Sequence, residues 1–341
     1  MRFGLFSDVS AGQADDFKAG QKGFASAQTI NTFGDYIVEA ERLGFYGLFL
    51  VEHHFTGNGQ VSSSLSVLSY LAGRTTKMRL GTGVVVLPWH NPVLLAEQIA
   101  TIDQLSHGRF DFGVGKGYRP HEFAGFNMER EEAFERYEDV LAFCRKAWTA
   151  EDRFDFHGTH WNFENIVIDP PIYQKPTPPV WIGATSEESV IRAGKGGFNL
   201  LLDQIAVPKL LGERIAAFKD AAASVGRELG PQSVCVTRAM HIVSSDEELD
   251  EARAHRAKMY DALVKQTGPK WDSFTARESL PTMADTTLTD DEAALVGYPE
   301  QIVEKVQILK DAGVDYIGIA DFSASQESLR RFANEVMPHF E

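Results

Sequence analysis

Short apolar runs recur along the chain and alternate with segments of helical period. The runs are Arg2–Phe6, Gly47–Val51, Arg79–Val86, Phe110–Val114, Val180–Ala184, Asn199–Asp203, Val234–Val243 and Tyr316–Ala320. They are nearly continuous in hydrophobic residues, the pattern of parallel strands covered on both faces. Between most of them the period lengthens to that of a helix, over Thr29–Leu43, Leu65–Arg74, Pro92–Leu105, Glu129–Trp148, Glu187–Ala193 and Pro208–Ala223. The punctuation agrees. Leu43-Gly44, Ala312-Gly313 and Gly194 through Gly197 read as helix C-caps leading into strands, and Pro92 and Pro299 as first-turn prolines. About eight βα units close a TIM barrel, which needs roughly 250 residues. The pattern therefore predicts an α/β chain forming a single (β/α)8 TIM barrel over residues 1–341. The surplus falls in two insertions. Glu151–Pro179, rich in aromatics and prolines, lies between the fourth and fifth strands; Lys265–Asp291, rich in Gly, Pro, Thr and Asp, lies between the seventh and eighth. Long connections of this kind read as lids or binding loops. No linker, repeat or low-complexity stretch divides the chain.

Composition works mainly by exclusion. With 43% apolar and 24% charged residues the chain is ordinary globular material, and its net charge of −15 argues against nucleic acid and anionic membrane surfaces as partners. An anionic cofactor stays possible, because a few local cations and a helix N-terminus suffice to hold a phosphate. Cys144 and Cys235 have no Cys-x-x-Cys spacing, which fits a reduced compartment. The start, Met1-Arg2-Phe3-Gly4-Leu5-Phe6, lacks the features of a signal peptide, and no apolar run approaches the ~20 residues of a membrane span. A soluble cytoplasmic protein is expected.

Candidate chemistry concentrates where strands end. Gly47–Val51 stops on Glu52, His53 and His54, and ionisable groups at the end of a buried strand are costly unless paired or used. At the carboxyl ends of barrel strands, such groups meet ligands. A Glu–His hydrogen bond closing the barrel mouth is the plain alternative. A metal site is disfavoured, because His53 and His54 point to opposite faces while strand geometry lasts and no His-x-x-x-His spacing is present. Further polar residues fall at the same mouth: Asn91 after the third strand, Lys116 after the fourth, Thr185 and Ser186 after the fifth, with Asp203, His241 and Asp321 late in the last three. Phe112-Gly113-Val114-Gly115-Lys116-Gly117-Tyr118 spaces its glycines G-x-G-x-G, so both common nucleotide-loop motifs fail, and on spacing alone a tight turn with a solvated lysine is the reading. Ala184-Thr185-Ser186-Glu187-Glu188-Ser189 opens a helix. Thr185 with Glu188 fits a capping box; equally, free N–H groups with the hydroxyls of Thr185, Ser186 and Ser189 and the Lys116 ammonium could hold a phosphate, provided Glu187 and Glu188 point away. Local reasoning leaves the two open.

Taken together these residues resemble the luciferase-like flavin monooxygenases, the bacterial luciferase α subunit among them. The resemblance runs through Met1-Arg2-Phe3-Gly4, Glu52-His53-His54-Phe55-Thr56, Leu80-Gly81-Thr82-Gly83 with Val85-Val86-Leu87-Pro88, Leu105-Ser106-His107-Gly108-Arg109-Phe110, Pro179-Val180-Trp181, Val296-Gly297-Tyr298-Pro299-Glu300-Gln301 and Val336-Met337-Pro338. It implies that His53 lies beside the reactive edge of the flavin as an acid/base group, with Glu52 the carboxylate before it. It implies a non-prolyl cis peptide at Gly83-Val84 under the isoalloxazine ring. It implies that Ala184, Thr185, Ser186 and Ser189 with Lys116 surround the FMN phosphate, and that Gly115 stands where luciferase has a cysteine near the flavin. Lys116 in place of an arginine keeps the charge but loses the bidentate fork. Thr185 in place of a glutamate removes a negative charge beside the phosphate. Gly115 opens one face of the flavin, so light emission from an aldehyde is not implied.

The activity implied is that of an FMNH2-dependent monooxygenase of a two-component system, supplied by a separate NAD(P)H:flavin reductase. Oxygen would add at C4a of the flavin, and the resulting peroxide would hydroxylate a small organic substrate or insert oxygen in Baeyer–Villiger fashion. The apolar mouth and the Lys265–Asp291 segment as a lid would exclude water. Candidate pocket aromatics are Phe6, Trp89, Tyr118, Trp161 and Trp271. A homodimer is implied by the family. The alternatives are a deazaflavin (F420)-dependent oxidoreductase on the same fold and a non-catalytic flavin-binding partner subunit.

Overall fold

In the computed structural model, which describes residues 1–9, 27–56, 61–267 and 292–341, parallel strands close on themselves into a barrel. The strands in chain order are β1 (Arg2–Ser7), β2 (Gly47–Leu50), β3 (Arg79–Thr82), β4 (Val85–Val86), β5 (Phe110–Gly115), β6 (Phe154–His157), β7 (Asn162–Ile166), β8 (Val180–Gly183), β9 (Asn199–Leu202), β10 (Val234–Ile242), β11 (Leu295–Gly297) and β12 (Tyr316–Asp321). The ring runs β1-β2-β3-β5-β8-β9-β10-β12 and returns to β1, every pairing parallel. This is the TIM barrel that the apolar runs predict, with each run supplying one ring strand.

The helices are α1 (Ala27–Arg42), α2 (Ser64–Ala72), α3 (Pro92–Leu105), α4 (Pro120–Gly125), α5 (Ala133–Thr149), α6 (Glu187–Lys195), α7 (Pro208–Ala223), α8 (Asp246–Thr267), α9 (Pro299–Asp311) and α10 (Gln326–Glu335). Their starts follow the sequence signals. Pro92 and Pro299 open α3 and α9, and the Asn91 side chain caps α3 by accepting from the N–H of Val93 and Leu94 at 3.0 and 3.2 Å. Gly44 and Gly313 take φ of 91° and 92° beyond α1 and α9, where a side chain would be strained.

Strand residues alternate between two cores. The outward set, with Phe3, Leu5, Leu48, Leu50, Leu80, Phe110, Phe112 and Val114, is buried beneath the helices. The inward set is a separate cluster of Phe49, Trp181, Leu201, Cys235 and Tyr316, flanked by Phe6, Tyr46 and Val84. These rings fit inside because glycines face them. A Cβ on Gly81 would lie 2.8 Å from the Phe49 ring, and one on Gly4 2.7 Å from the Tyr316 hydroxyl. Gly113 is tighter still. A methyl there would sit 1.7 Å from the Thr82 carbonyl oxygen, and the two strands are held in place by Thr82 Oγ1, which donates to Gly113 O at 2.7 Å and accepts from Gly113 N–H at 2.9 Å. Gly113→Ala is expected to destabilise the fold by about 3 kcal/mol, the upper end of the usual cost of overpacking. A urea midpoint matching wild type would show that β3 and β5 can separate there.

Three departures from the sequence reading matter. Arg79–Val86 is not one strand: it breaks at a cis peptide between Gly83 and Val84, after which β4 pairs with β5 in a second registration. The 151–179 insertion is not at the mouth. It contains the antiparallel hairpin β6–β7, whose Phe154, Phe156 and Phe163 pack on Phe143 of α5. Its last part is tied to the opposite end of the barrel, where Asp103 accepts from the N–H of Tyr173 and Gln174, and the Gln174 amide donates to Phe110 O at the start of β5. The cause is topological: a connection from helix to strand returns to the N-terminal end of a barrel. Trp161 stacks on Phe163 in this hairpin and so leaves the set of pocket aromatics. The second insertion opens inside α8, and its residues 268–291, Trp271 included, lie outside the described residues, as does the lid placed on them.

Candidate functional site

Beyond Leu50 the chain leaves β2 and delivers Glu52, His53 and His54 to the C-terminal mouth, where each finds a different environment. Glu52 is 4% exposed, and its Oε1 accepts from Nε2 of both His54 and His90 at 2.9 Å. Its Oε2 accepts from the backbone N–H of Val86 at 2.8 Å, anchoring β4 just after the cis peptide. Burial opposes ionisation of Glu52. The two imidazole hydrogen bonds, the His90 charge and the Val86 N–H outweigh it and hold the pKa down to about 2. Glu52 thus bonds His54 and His90, and not the neighbouring His53.

The partner of His53 comes from a distant part of the chain. His53 Nδ1 lies 3.1 Å from Oε1 of Glu122, and the same oxygen accepts from the His54 backbone N–H at 3.0 Å. Glu122 stands on α4, a short helix opened by Pro120, and its side chain is 1% exposed. Burial works against its charge, yet the His53 hydrogen bond, the His54 N–H and the charges of His53 and Arg119 bring its pKa below the ordinary value. The His53 ring meets the edge of Tyr118, while His54 packs edge-on to Phe126 in an aromatic group with Phe55 and Trp89. Both histidines lie beyond the end of β2, so strand alternation does not set their directions; what separates them is their partners, Glu122 for His53 and Glu52 for His54. Glu122 is missed by the sequence reading, since nothing local links it to a histidine so far away in the chain.

Across the mouth, Val84 projects over the glycines of β5 and β8. A Cβ on Gly115 would lie 2.6 Å from Val84 Cγ2, and one on Gly183 3.6 Å from Val84 Cγ1. Gly83 in turn faces the ring of Phe6, 2.9 Å from the position of a Cβ. The result is a flat floor of glycine, one valine and one aromatic edge.

At the rim beyond this floor, the end of β5 meets the start of α6. Ser186, not Thr185, is the N-cap: its Oγ accepts from the Ser189 N–H at 3.3 Å and bonds Ser189 Oγ at 2.9 Å. The Thr185–Glu188 capping box is therefore replaced by a serine pair, leaving Thr185 exposed at the mouth. Ala184 is buried and its N–H goes to Leu201 O at 3.2 Å, so it has no N–H to offer a ligand. Lys116 is brought against this helix end. Its pKa is lowered by desolvation and by the charges of Arg192 and Arg130, with Glu188 acting the other way. Glu188 thus does not turn fully away from the cations. Arg192 is held by Glu138 and lies 5.3 Å from the ring centroids of both Phe134 and Tyr137. Tyr137 is 2% exposed and its hydroxyl has no hydrogen-bond partner among the described residues. Arg130, Arg192 and Tyr137 are further members of this cluster that the sequence reading did not find; the only signal was that Arg192 sits on the same helix as Ser186 and Ser189.

The remaining strand-end groups do not converge on this floor. Asp203 pairs with Arg214 at 2.8 Å and accepts from the N–H of Ile205 and Ala206. Asp321 is turned to Tyr36, Ser323 and Ser328, and burial raises its pKa. His241 is half-buried late in β10, its pKa lowered by that burial.

These residues fit a flavin-type cofactor that carries a phosphate. Three cations, a serine-capped helix start and a buried hydroxyl lacking an acceptor suit a phosphate, and buried donors normally have partners. Inside the barrel the Trp181 indole N–H also lacks an acceptor among the described residues, one inward position below Gly183. Gly115 and Gly183 keep the space beside Val84 clear of side chains, next to Lys116 and the start of α6.

Comparison with known proteins agrees. A family model for luciferase-like monooxygenases matches residues 1–316. The chain is 28% identical to the FMNH2-dependent dimethylsulfone monooxygenase of Pseudomonas putida, over 88% of this chain and 85% of that one. It is 24% identical to the oxygenase component of the flavin-dependent trigonelline monooxygenase of Acinetobacter baylyi, over 92% and 91%. The oxygenating constituent of the Pseudomonas putida 3,6-diketocamphane monooxygenase, a type II Baeyer–Villiger enzyme in complex with FMN, superimposes with a TM-score of 0.79 at 19% identity, covering 99% of this chain and 98% of that one. At that identity the likeness is one of fold.

Proposed function

This chain belongs to the luciferase-like monooxygenase family, and from that premise we propose that it is the FMNH2-using oxygenase of a two-component system, acting on a small organic substrate with O2. What carries the reading is one juxtaposition: an acid/base pair, His53 with Glu122, on one side of the mouth, a cationic rim on the other, and the Gly83-Val84, Gly115 and Gly183 floor between them. FMNH2, when bound, supplies the electrons and the activation of oxygen.

The protein's part is to bind, orient and protect. Lys116, Arg130 and Arg192 with Thr185, Ser186 and Ser189 would hold the phosphate, and Val84 would support the ring. His53 would exchange a proton at the reacting edge, and Glu52 would fix β4 and hence the position of Val84. The aromatic group of Phe55, Trp89 and Phe126 would keep water from that edge. A separate NAD(P)H:flavin reductase would supply FMNH2, as the name of the trigonelline relative, an oxygenase component, suggests. A homodimer belongs to the same proposal and is read by sedimentation.

Binding tests it directly. Lys116→Ala is expected to weaken FMNH2 binding by about 1.5–3 kcal/mol, the worth of a charged hydrogen bond, while riboflavin binds both proteins alike. Equal losses for the two ligands would show Lys116 supporting the fold instead. Tighter binding of F420 than of FMN, with hydride transfer independent of oxygen, would overturn the monooxygenase reading in favour of a deazaflavin enzyme.

A further inference from the structure

A histidine that exchanges protons must present one ring nitrogen to the reacting centre, and its protonation is set by the bond at the other nitrogen. His53 Nδ1 is 3.1 Å from Glu122 Oε1, an oxygen that also accepts from the His54 backbone N–H at 3.0 Å. The carboxylate is almost wholly buried, while the imidazole is 18% exposed. An ionised carboxylate only accepts hydrogen bonds, so the atom facing it must carry a proton. The second contact removes the freedom of the carboxylate to turn: an N–H from the chain beside the ring pins the oxygen that the ring needs. Among the described residues, Nε2 of His53 has no partner. Nδ1 is thereby committed to the protein, and Nε2 is left as the exchanging atom.

We propose that Glu122 is the positioning residue of this site: it fixes His53 as the Nδ1–H tautomer and presents Nε2 to the barrel mouth. The proposal rests on the reading of His53 as the acid/base group, and it assigns the atom. Without Glu122, a neutral imidazole favours the opposite tautomer, with the proton on Nε2 and the ring free to rotate. A base at the mouth would then be lost even though His53 remained. The role is that of an orienting carboxylate behind a catalytic histidine. It is filled by a residue on α4, because the adjacent Glu52 is already engaged by His54, His90 and the Val86 N–H.

The test is the two-bond 1H–15N spectrum of the histidine rings in the flavin-free protein at mildly alkaline pH, with His53 assigned by its substitution. Wild type should show a protonated Nδ1 and an unprotonated Nε2. Glu122→Leu, close in volume and without an acceptor, should shift the ring towards the Nε2–H form. Glu122→Gln keeps an oxygen facing both N–H groups, so it should retain the tautomer. Product formed per reduced flavin should fall about 10–100-fold in Glu122→Leu, a part of the ~10²–10⁴-fold that a general acid–base group supplies, and less in Glu122→Gln. An Nε2–H tautomer in wild type overturns the proposal, and it does so even if Glu122→Leu fails to fold. A tautomer unchanged in Glu122→Leu overturns it too, and makes Glu122 a structural acceptor for His54. If the tautomer changes while product formation stays at the wild-type level, positioning is overturned. If His53→Ala is then equally active, the acid/base reading of His53 has failed as well.

Discussion

His53→Ala is expected to lower product formed per reduced flavin about 10²–10⁴-fold, the usual contribution of a positioned acid–base group. Reduced-flavin affinity should change far less, because the candidate phosphate contacts lie at the end of β5 and the start of α6, away from His53. His54 provides the internal control. Its Nε2 donates to buried Glu52 and its ring packs on Phe126, so His54→Ala should lower the thermal midpoint while leaving the chemistry of folded molecules near wild type. Rapid mixing of the FMNH2 complex with oxygen, with product and hydrogen peroxide quantified, separates productive from wasted turnover. If His54→Ala abolishes coupling and His53→Ala does not, the two histidines have been assigned the wrong way round. If neither matters, the proton must come from elsewhere at the mouth, and half-buried His241, at the end of β10, is the first group to replace.

The fold was legible because barrel strands are short, apolar and separated by helices whose caps are local. Gly44, Asn91, Pro92 and Pro299 mark element ends through their own backbone or side-chain chemistry, and no distant contact is needed to read them. The break inside Arg79–Val86 has no such mark in the periodicity; it was expected only from the family resemblance, and the structure places a cis bond at Gly83-Val84. The 151–179 insertion was seen, but length alone does not tell which end of a barrel a connection occupies. Its order in the chain does: it follows α5 and precedes β8, so it had to return to the N-terminal end, where Asp103 and Phe110 hold it. The site was half legible for a related reason. Residues at strand ends were found, since the strand itself positions them. Glu122 and Arg130 come from the connection after β5, and Arg192 from further along α6. Their approach to His53 or Lys116 is a tertiary event without a local signature.

The same distinction changes what Glu52 should do when replaced. Beside His53 in sequence, it was a catalytic candidate. In the structure it accepts from His54, His90 and the Val86 N–H, and its effect on chemistry passes through the strand it anchors. Its pKa is held at about 2 against an ordinary 4.5. That difference corresponds to about 3 kcal/mol of folding stability at neutral pH. Because the folded-state value is the depressed one, this contribution is complete above the ordinary carboxylate pKa and is lost as pH falls from there towards 2. Glu52→Gln should therefore unfold about 3 kcal/mol more easily near neutrality. Its amide would also turn an N–H towards either the imidazoles or the Val86 N–H, leaving buried donors facing each other. The gap between variant and wild type should narrow as pH falls below about 4.5, where wild type gives up what the variant never had. Urea titrations at a series of pH values measure it. A gap that stays constant down to about pH 3 would mean that Glu52 titrates alike in the folded and unfolded chain, and one that widens as pH falls towards about 4.5 would mean that it is protonated in the folded protein. The two imidazoles would then share a neutral acid, and β4, with the Val84 floor it carries, would owe its position to packing instead of charge.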